Sequence, residues 1–394
     1  MANQMDRRSW IKSSAFLAGS VAFFSGSFNT AAAKTRSLLM PKGFTALSDF
    51  AQEEQELLNA PAEITARLSS NENPFGPSPK AKKAIMEGID GSFRYGFGGT
   101  RQLTARISEF EGLGPGMVSL SPGSSPFLKA GAAHFSKGGG SIITGDPSYD
   151  DLTRTAAGMG AKIVKVPLTA DYKLDLDAME KAIDGSTKLV YIVNPNNPTA
   201  TTVDTAKLKS FIERVSPKVT VFVDEAYIDY VKDPKSATTI DCVKKGMNVV
   251  VIRTFSKLYG FAGLRMGYMV AQPAMIQALG EYTDGAFSIS SLSVNAAVAS
   301  YQDRDFMTDA LAKTAASKQF LYDTLKKEGY EYIPSDANFV LFPVKMEAKK
   351  FTEEMSKRGV QLRNWKFSGK EWCRVSIGTM DEMKAFAAAF TQIA

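Results

Sequence analysis

Histidine is almost absent from this chain: His134 is the one histidine in 394 residues. It sits in the small, apolar stretch G-A-A-H-F, a setting for a packed side chain. A histidine-based triad or zinc site therefore finds no support. Cysteine is nearly as scarce. Cys242 and Cys373 stand far apart, without metal-ligand spacing, and no metal site is expected. Beyond the N-terminus no run is long and apolar enough to span a bilayer, so no stable membrane insertion of the mature chain is expected. The net charge of +6 is modest and spread out. No basic block interleaved with aromatics supplies a footprint for nucleic acid. What the chain has is bulk: 394 residues, 44% of them hydrophobic, enough for a large core and two domains.

The first residues read as an address. D-R-R-S-W-I-K precedes an apolar run over residues 15–24, and then comes T-A-A-A-K. Paired Arg7 and Arg8, followed by a hydrophobic pair and Lys12, resemble a twin-arginine export signal. Ala31 and Ala33 supply an A-x-A cleavage site. An ordinary Sec signal or an uncleaved anchor is the plainer alternative. The expectation is a signal peptide over residues 1–33, use of the twin-arginine translocase, and a periplasmic or secreted mature protein.

Residues 34–70 hold a polar arm with a helix around 49–59, expected to contribute to a small domain. The pattern then alternates between β and α. Short β-branched runs at 141–144, 162–166, 189–193, 220–223, 249–252 and 268–270 are nearly all apolar, as in strands of a largely parallel sheet buried on both faces. Helical stretches at 178–183 and 206–214 separate some of them. A large α/β domain over 71–295 is the expectation. A smaller α+β domain over 296–394 follows, with strands at 338–343 and 374–377 and a helix near 351–358.

Three consecutive strand ends carry chemistry. The run 189–193 leads into N-P-N-N-P-T, 220–223 into D-E-A-Y, and 249–252 into R-T-F-S-K. Ligands of open α/β sheets bind along that edge. An amide, an acid and a lysine there are what pyridoxal phosphate needs. Lys257 suits the imine with its aldehyde. Asp224 suits the ring nitrogen, which must stay protonated for the ring to draw electrons. Tyr227 and Asn197 are placed to hydrogen-bond the ring oxygen, and Tyr149 of D-P-S-Y to stack on the ring. The phosphate requires donors and positive charge. Thr254, Ser256 and Arg265 supply one side, and the S-P-G-S-S-P turn with Ser124 and Ser125 supplies backbone N–H groups on the other.

These residues resemble the fold-type I pyridoxal-phosphate enzymes, and most closely the histidinol-phosphate aminotransferase family. The likeness runs from L-S-S-N-E-N-P-F-G-P-S-P at 68–79 to the C-terminus. Its strongest parts are N-P-N-N-P-T, V-D-E-A-Y-I and R-T-F-S-K-L-Y-G-F-A-G-L-R-M-G. The resemblance implies a large domain with a mostly parallel, seven-stranded-type sheet between helices, plus a smaller α+β domain. It implies transamination between an L-amino acid, or an amino-acid-like phosphate such as histidinol phosphate, and a 2-oxo acid. It also implies a homodimer, with Tyr95 of R-Y-G-F-G-G reaching the partner's cofactor phosphate. Arg374 of C-R-V-S-I-G-T would grip the substrate α-carboxylate, and Arg363 of V-Q-L-R-N-W a distal phosphate. The chain departs from the family's pattern at Ser125 and Pro126, where an acidic pair is usual, at Leu152, and at Ala200. β-Elimination, decarboxylation or racemisation on the same scaffold stays open as the alternative chemistry. A non-catalytic module keeping only the cofactor pocket is the alternative of another class.

Overall fold

The computed structural model describes residues 64–393. The signal expected over 1–33, residues 34–63 of the arm expected over 34–70, and its helix at 49–59 lie outside the described residues.

Seven strands form the central sheet in the order β2 (Val118–Ser121), β8 (Gly267–Val270), β7 (Val249–Thr254), β6 (Thr220–Asp224), β5 (Thr187–Val193), β3 (Ser141–Asp146) and β4 (Lys162–Pro167). All run the same way except β8, which pairs antiparallel with both β2 and β7. The apolar runs are explained by two cores. Val190, Ile192, Val221, Val223 and Val251 enter one; Leu189, Tyr191, Val193, Phe222, Val250 and Ile252 enter the other. Alternate residues of a strand point to opposite faces, so a strand covered on both sides shows no polar period. β2 escapes the sequence reading because V-S-L-S alternates and is short.

The covering helices follow ordinary rules. In Thr205–Val215 the Asp204 side chain accepts the Lys207 N–H at 2.8 Å, and Leu208, Phe211, Ile212 and Val215 are buried. That is one apolar face of a capped helix. Met380–Phe390 starts with a capping box in which Thr379 and Glu382 satisfy each other's backbone N–H groups. His134 lies in the helix Ser125–Ser136, edge-on to Phe135 and Tyr282.

A smaller sheet has the order β11 (Arg363–Phe367), β12 (Lys370–Ser376), β9 (Phe339–Pro343), all antiparallel. Beside it β1 (Ala66–Arg67) pairs in parallel with β10 (Val360–Gln361). Their common core takes Ala66 and Leu68 from the start of the described chain, Leu321 and Leu325, and then Phe351, Met355, Met383, Phe386 and Phe390. Among the described residues no helix is long and apolar enough to cross a membrane, and no group of His, Cys, Asp and Glu could hold a metal ion.

Candidate active site

Because β2, β3, β5, β6 and β7 share a direction, their carboxyl ends share one edge of the sheet. Asp224 ends β6 and is 3% exposed. Its Oδ1 accepts the Ala226 N–H at 3.0 Å and its Oδ2 accepts the Tyr191 hydroxyl at 3.3 Å. Burial pushes its pKa up to about 6, against the pull of the Ala226 N–H, the Tyr191 hydroxyl and the Lys257 charge. Lys257 follows β7 within a tight turn. Its Nζ lies 3.4 Å from the Ser70 carbonyl oxygen and 5.4 Å from the centre of the Tyr227 ring.

An anion seat lies beside them. Gly123 takes a left-handed φ of +85° just ahead of the helix Ser125–Ser136, and a Cβ there would run into the Arg265 guanidinium. From behind, a Cβ on Gly267 would stand 2.6 Å from the Gly123 carbonyl carbon. Backbone and guanidinium approach closely only because both positions are glycine. Arg265 donates from Nη1 to Ser256 Oγ at 3.2 Å and to the Ala262 carbonyl at 3.0 Å. Thr254 Oγ1 also donates to Ser256 Oγ, at 2.9 Å. Ser256 thus accepts twice and keeps its own proton for another acceptor. Burial lowers the Arg265 pKa, and among the described residues no carboxylate pairs with it. A guanidinium without an acid, a serine proton to spare and the Ser124 and Ser125 N–H groups, where a helix opens ahead of Pro126, fit a phosphate dianion. The seat therefore matches the phosphate of the expected cofactor.

Arg374 arrives from the small sheet. It is 5% exposed, donating from Nη1 to Asn197 Oδ1 at 2.7 Å and from Nη2 to the Ser69 carbonyl at 2.6 Å. Its guanidinium carbon is 5.3 Å from the centre of the Phe339 ring and 4.6 Å from Trp365. Asn197 accepts through oxygen, which leaves its amide N–H groups to donate elsewhere. Arg363 on β11 is the direct cross-strand neighbour of Arg374 and is likewise buried, so both side chains stand on one face of that sheet.

The segment after β1 joins the two sheets. Asn71 donates from Nδ2 to the Tyr227 hydroxyl at 3.0 Å, and its backbone N–H reaches Ser376 Oγ at 2.7 Å. Its carbonyl accepts the Asn338 amide at 3.0 Å. Asn73 Nδ2 holds the Leu258 carbonyl at 2.6 Å, one residue past the lysine. Sequence reasoning gave no role to Ser69, Ser70, Asn71 or Tyr191. The first three sit in the S-S-N-E-N run, whose only signal was its place in the family resemblance. A tyrosine inside L-V-Y-I-V is a signal of another kind, since a buried hydroxyl requires a partner.

The remaining candidates divide. Tyr149 is half-buried against the second core, close enough to Arg265 to act on its charge. Ser148 ties that loop to the N-P-N-N turn, its hydroxyl donating to Asn196 Oδ1 at 2.7 Å. Tyr95 does not enter the site of its own chain. It is 70% exposed, stacked on Phe97 at 5.6 Å and edge-on to Phe287 at 5.8 Å.

The sequence pattern of the family described as aminotransferase class I and II matches residues 63–390. A histidinol-phosphate aminotransferase of Moorella thermoacetica is 35% identical over 83% of this chain and 85% of that protein. An aromatic amino acid aminotransferase of Mycolicibacterium vanbaalenii is 36% identical over 81% of this chain and 90% of that protein. Among solved structures, histidinol-phosphate aminotransferase from Sinorhizobium meliloti in complex with pyridoxal-5'-phosphate superposes with a TM-score of 0.80. It is 25% identical and covers 91% of this chain and 100% of that one.

Asp224 makes the ligand-free protein pH-sensitive in a definite direction. Its folded pKa of about 6 lies above the ordinary 3.8, so between those values the folded chain holds a proton that the unfolded chain has released. Its contribution to stability is whole below about pH 4 and is lost as pH rises through about 6. The difference amounts to roughly 2–3 kcal/mol. Asp229, pushed up to about 6 by burial, has the same sign, so the test compares variants. Relative to wild type, ligand-free Asp224→Asn should gain in urea midpoint from pH 4 to pH 6 and hold the gain above. A gap that stays constant across that window would contradict a buried, strained acid.

Proposed function

The chain belongs to the aminotransferase class I and II family and is a pyridoxal-phosphate-dependent aminotransferase acting between an amino acid and a 2-oxo acid; from that premise we propose how its residues divide the reaction. The observation that carries the assignment is the meeting of Lys257, Asp224 and the Asn197–Arg374 pair at one sheet edge. When bound, the cofactor supplies an aldehyde that condenses with amines and a pyridinium ring that draws electrons from the substrate α-carbon. Lys257 would hold that aldehyde, and its Nζ, once freed by an amino substrate, would be the base that takes the substrate α-proton and the acid that returns it. Asp224, an anion at neutral pH, keeps the ring nitrogen protonated. Tyr227 donates to the ring oxygen, because Asn71 already occupies its hydroxyl as a donor and so fixes which way the proton points. Asn197 donates to the same oxygen from Nδ2, and Tyr149 covers the ring face. Arg265, Thr254, Ser256 and the amides of Ser124 and Ser125 hold the phosphate.

Arg374 receives the α-carboxylate. Its planar fork meets both carboxylate oxygens, which lysine cannot do. Arg363 on the same face meets a distal anion, as an acidic side chain or the phosphate of a histidinol-phosphate-like donor would present. Loss of a charged, paired hydrogen bond costs about 1.5–3 kcal/mol, or roughly one to two orders of magnitude in kcat/KM. Arg374→Ala should cause that loss for every amino-acid donor and leave cofactor affinity little changed. Arg363→Ala should weaken acidic and phosphorylated donors and spare apolar ones. Equal losses on all donors, in step with a fall in melting temperature, would remove Arg363 from the substrate site.

The active unit is a homodimer. Phe93, Tyr95, Phe97 and Phe287 are 78%, 70%, 39% and 66% exposed, and the last three pack ring against ring at the surface. Across that face Tyr95 reaches the partner's phosphate seat. Lys257→Ala should be inactive and untrapped by borohydride, and a Tyr95→Ala variant should lose cofactor affinity. Mixing the two should restore part of the activity, since one of the hybrid's two sites is intact. A fully active monomer in solution would refute the arrangement.

Residues 1–33 direct export through the twin-arginine route to the periplasm or beyond, after the chain has folded with its cofactor. Replacing Arg7 and Arg8 by lysine should strand the protein in the cytoplasm. Fractionation showing undiminished export of that double variant would assign it to another route.

A further inference from the structure

Tyr191 is the middle of the apolar run of β5 and is fully buried. Thr144 of β3 and Phe222 of β6 are its register neighbours, and the Phe222 ring stands edge-on at 6.1 Å. Packing therefore fixes the ring. Its hydroxyl reaches across to the next strand, 3.3 Å from Asp224 Oδ2. Among the described residues that carboxylate is its one hydrogen-bond partner, so the proton must point at Asp224. With the Ala226 N–H on Oδ1, the carboxylate is held at both oxygens, and each keeps a lone pair for a further donor.

We propose that Tyr191 is a positioning residue for the cofactor's ring nitrogen: its hydroxyl aims the Asp224 carboxylate and keeps it in the anionic form that holds the ring proton. This rests on the assignment of Asp224 to that nitrogen. The electrostatic case is a contest. Burial favours the neutral acid, and a donor to the anion opposes burial. The other groups facing the pair are Lys257 from the turn after β7, Glu225 next to Asp224, and Tyr149 and Asp151 from the segment after β3. Of the contributions that favour the anion, the Tyr191 hydroxyl is the one a single-atom change removes.

Tyr191→Phe in the holoenzyme is that change. It should lower kcat roughly tenfold while the donor KM stays within about a factor of two, because the lost bond acts on the ring and not on substrate binding. The pH titration of the bound cofactor's visible absorbance should shift. The cofactor dissociation constant should rise, and the loss of kcat should deepen toward pH 6. In an Asp224→Asn background the same substitution should leave cofactor affinity unchanged, since the two residues act through one bond. Tyr191→Leu, which also gives up the ring packing, guards against a folding effect. Equal kinetic and spectral shifts in the Phe and Leu variants, despite different melting temperatures, support the hydroxyl. Losses that track melting temperature across the pair overturn it. A Tyr191→Phe enzyme with the parent's spectrum and cofactor affinity also sinks the proposal, while an impaired Asp224→Asn leaves the Asp224 assignment standing. If Asp224→Asn itself keeps the parent's cofactor affinity and spectrum, the assignment beneath the proposal fails as well.

Discussion

Parallel strands buried on both faces have no room for charge along their length, so polar function is pushed to the points where they end. In this chain six such ends fall on one edge, and those of β2, β3, β5, β6 and β7 lead into the segments that form the site. Lys257, Asp224, Asn197 and the Gly123 turn are neighbours because β7, β6, β5 and β2 are co-directional, although 134 positions separate the turn from the lysine. What the sheet cannot supply is a receptor facing it from outside. That comes from β12, whose Arg374 is braced between Phe339 and Trp365 and locked to Asn197.

The site is electrostatically unfinished, and its stresses are specific. Asp224 is an acid that burial would rather keep neutral, and Arg265 is a cation that burial would rather discharge, with no acid beside it among the described residues. A buried structural charge is normally paired. The Arg253 cluster nearby is the contrast: its guanidinium meets Glu111 at 2.8 Å and Glu225 at 2.9 Å. One set is closed on itself and serves the fold. The other would be balanced by a ligand carrying a phosphate at one end and a protonated ring nitrogen at the other, as the proposed function has it.

What could be read in advance follows from locality. Lys257, Asp224 and Asn197 stand out because each closes or follows an apolar run, a pattern carried within a dozen residues. The parallel sheet and the small α+β unit are legible for the same reason. Short alternating segments are not. V-S-L-S of β2 and R-N-W-K-F of β11 look like loop, and their strand character comes from partners far away in sequence. Trp365 as a brace for Arg374, and Asn71 as the setter of the Tyr227 proton, exist only through contacts with other elements. The 3.3 Å contact of Tyr191 is intermediate. The sequence announces a hydroxyl in need of an acceptor, and only the strand order says that Asp224 is the acceptor.

The strand Ala66–Arg67 has a consequence in time. Its hydrogen-bonded partner is Val360–Gln361, and the bonds of Asn71 to Ser376 and of Ser69 to Arg374 each span 305 positions. The central sheet, by contrast, is complete once Val270 has been made. A chain emerging from its N-terminus can therefore assemble the floor that carries Lys257 and Asp224 while Ser69 still awaits Arg374, and Asn71 still awaits Ser376 and Asn338. Closing so long a loop is the slow, entropically costly part of such a topology. The Lys257–Asp224 side of the site and the Arg374 side thus mature in sequence, the first from the middle of the chain, the second only when its two distant ends meet.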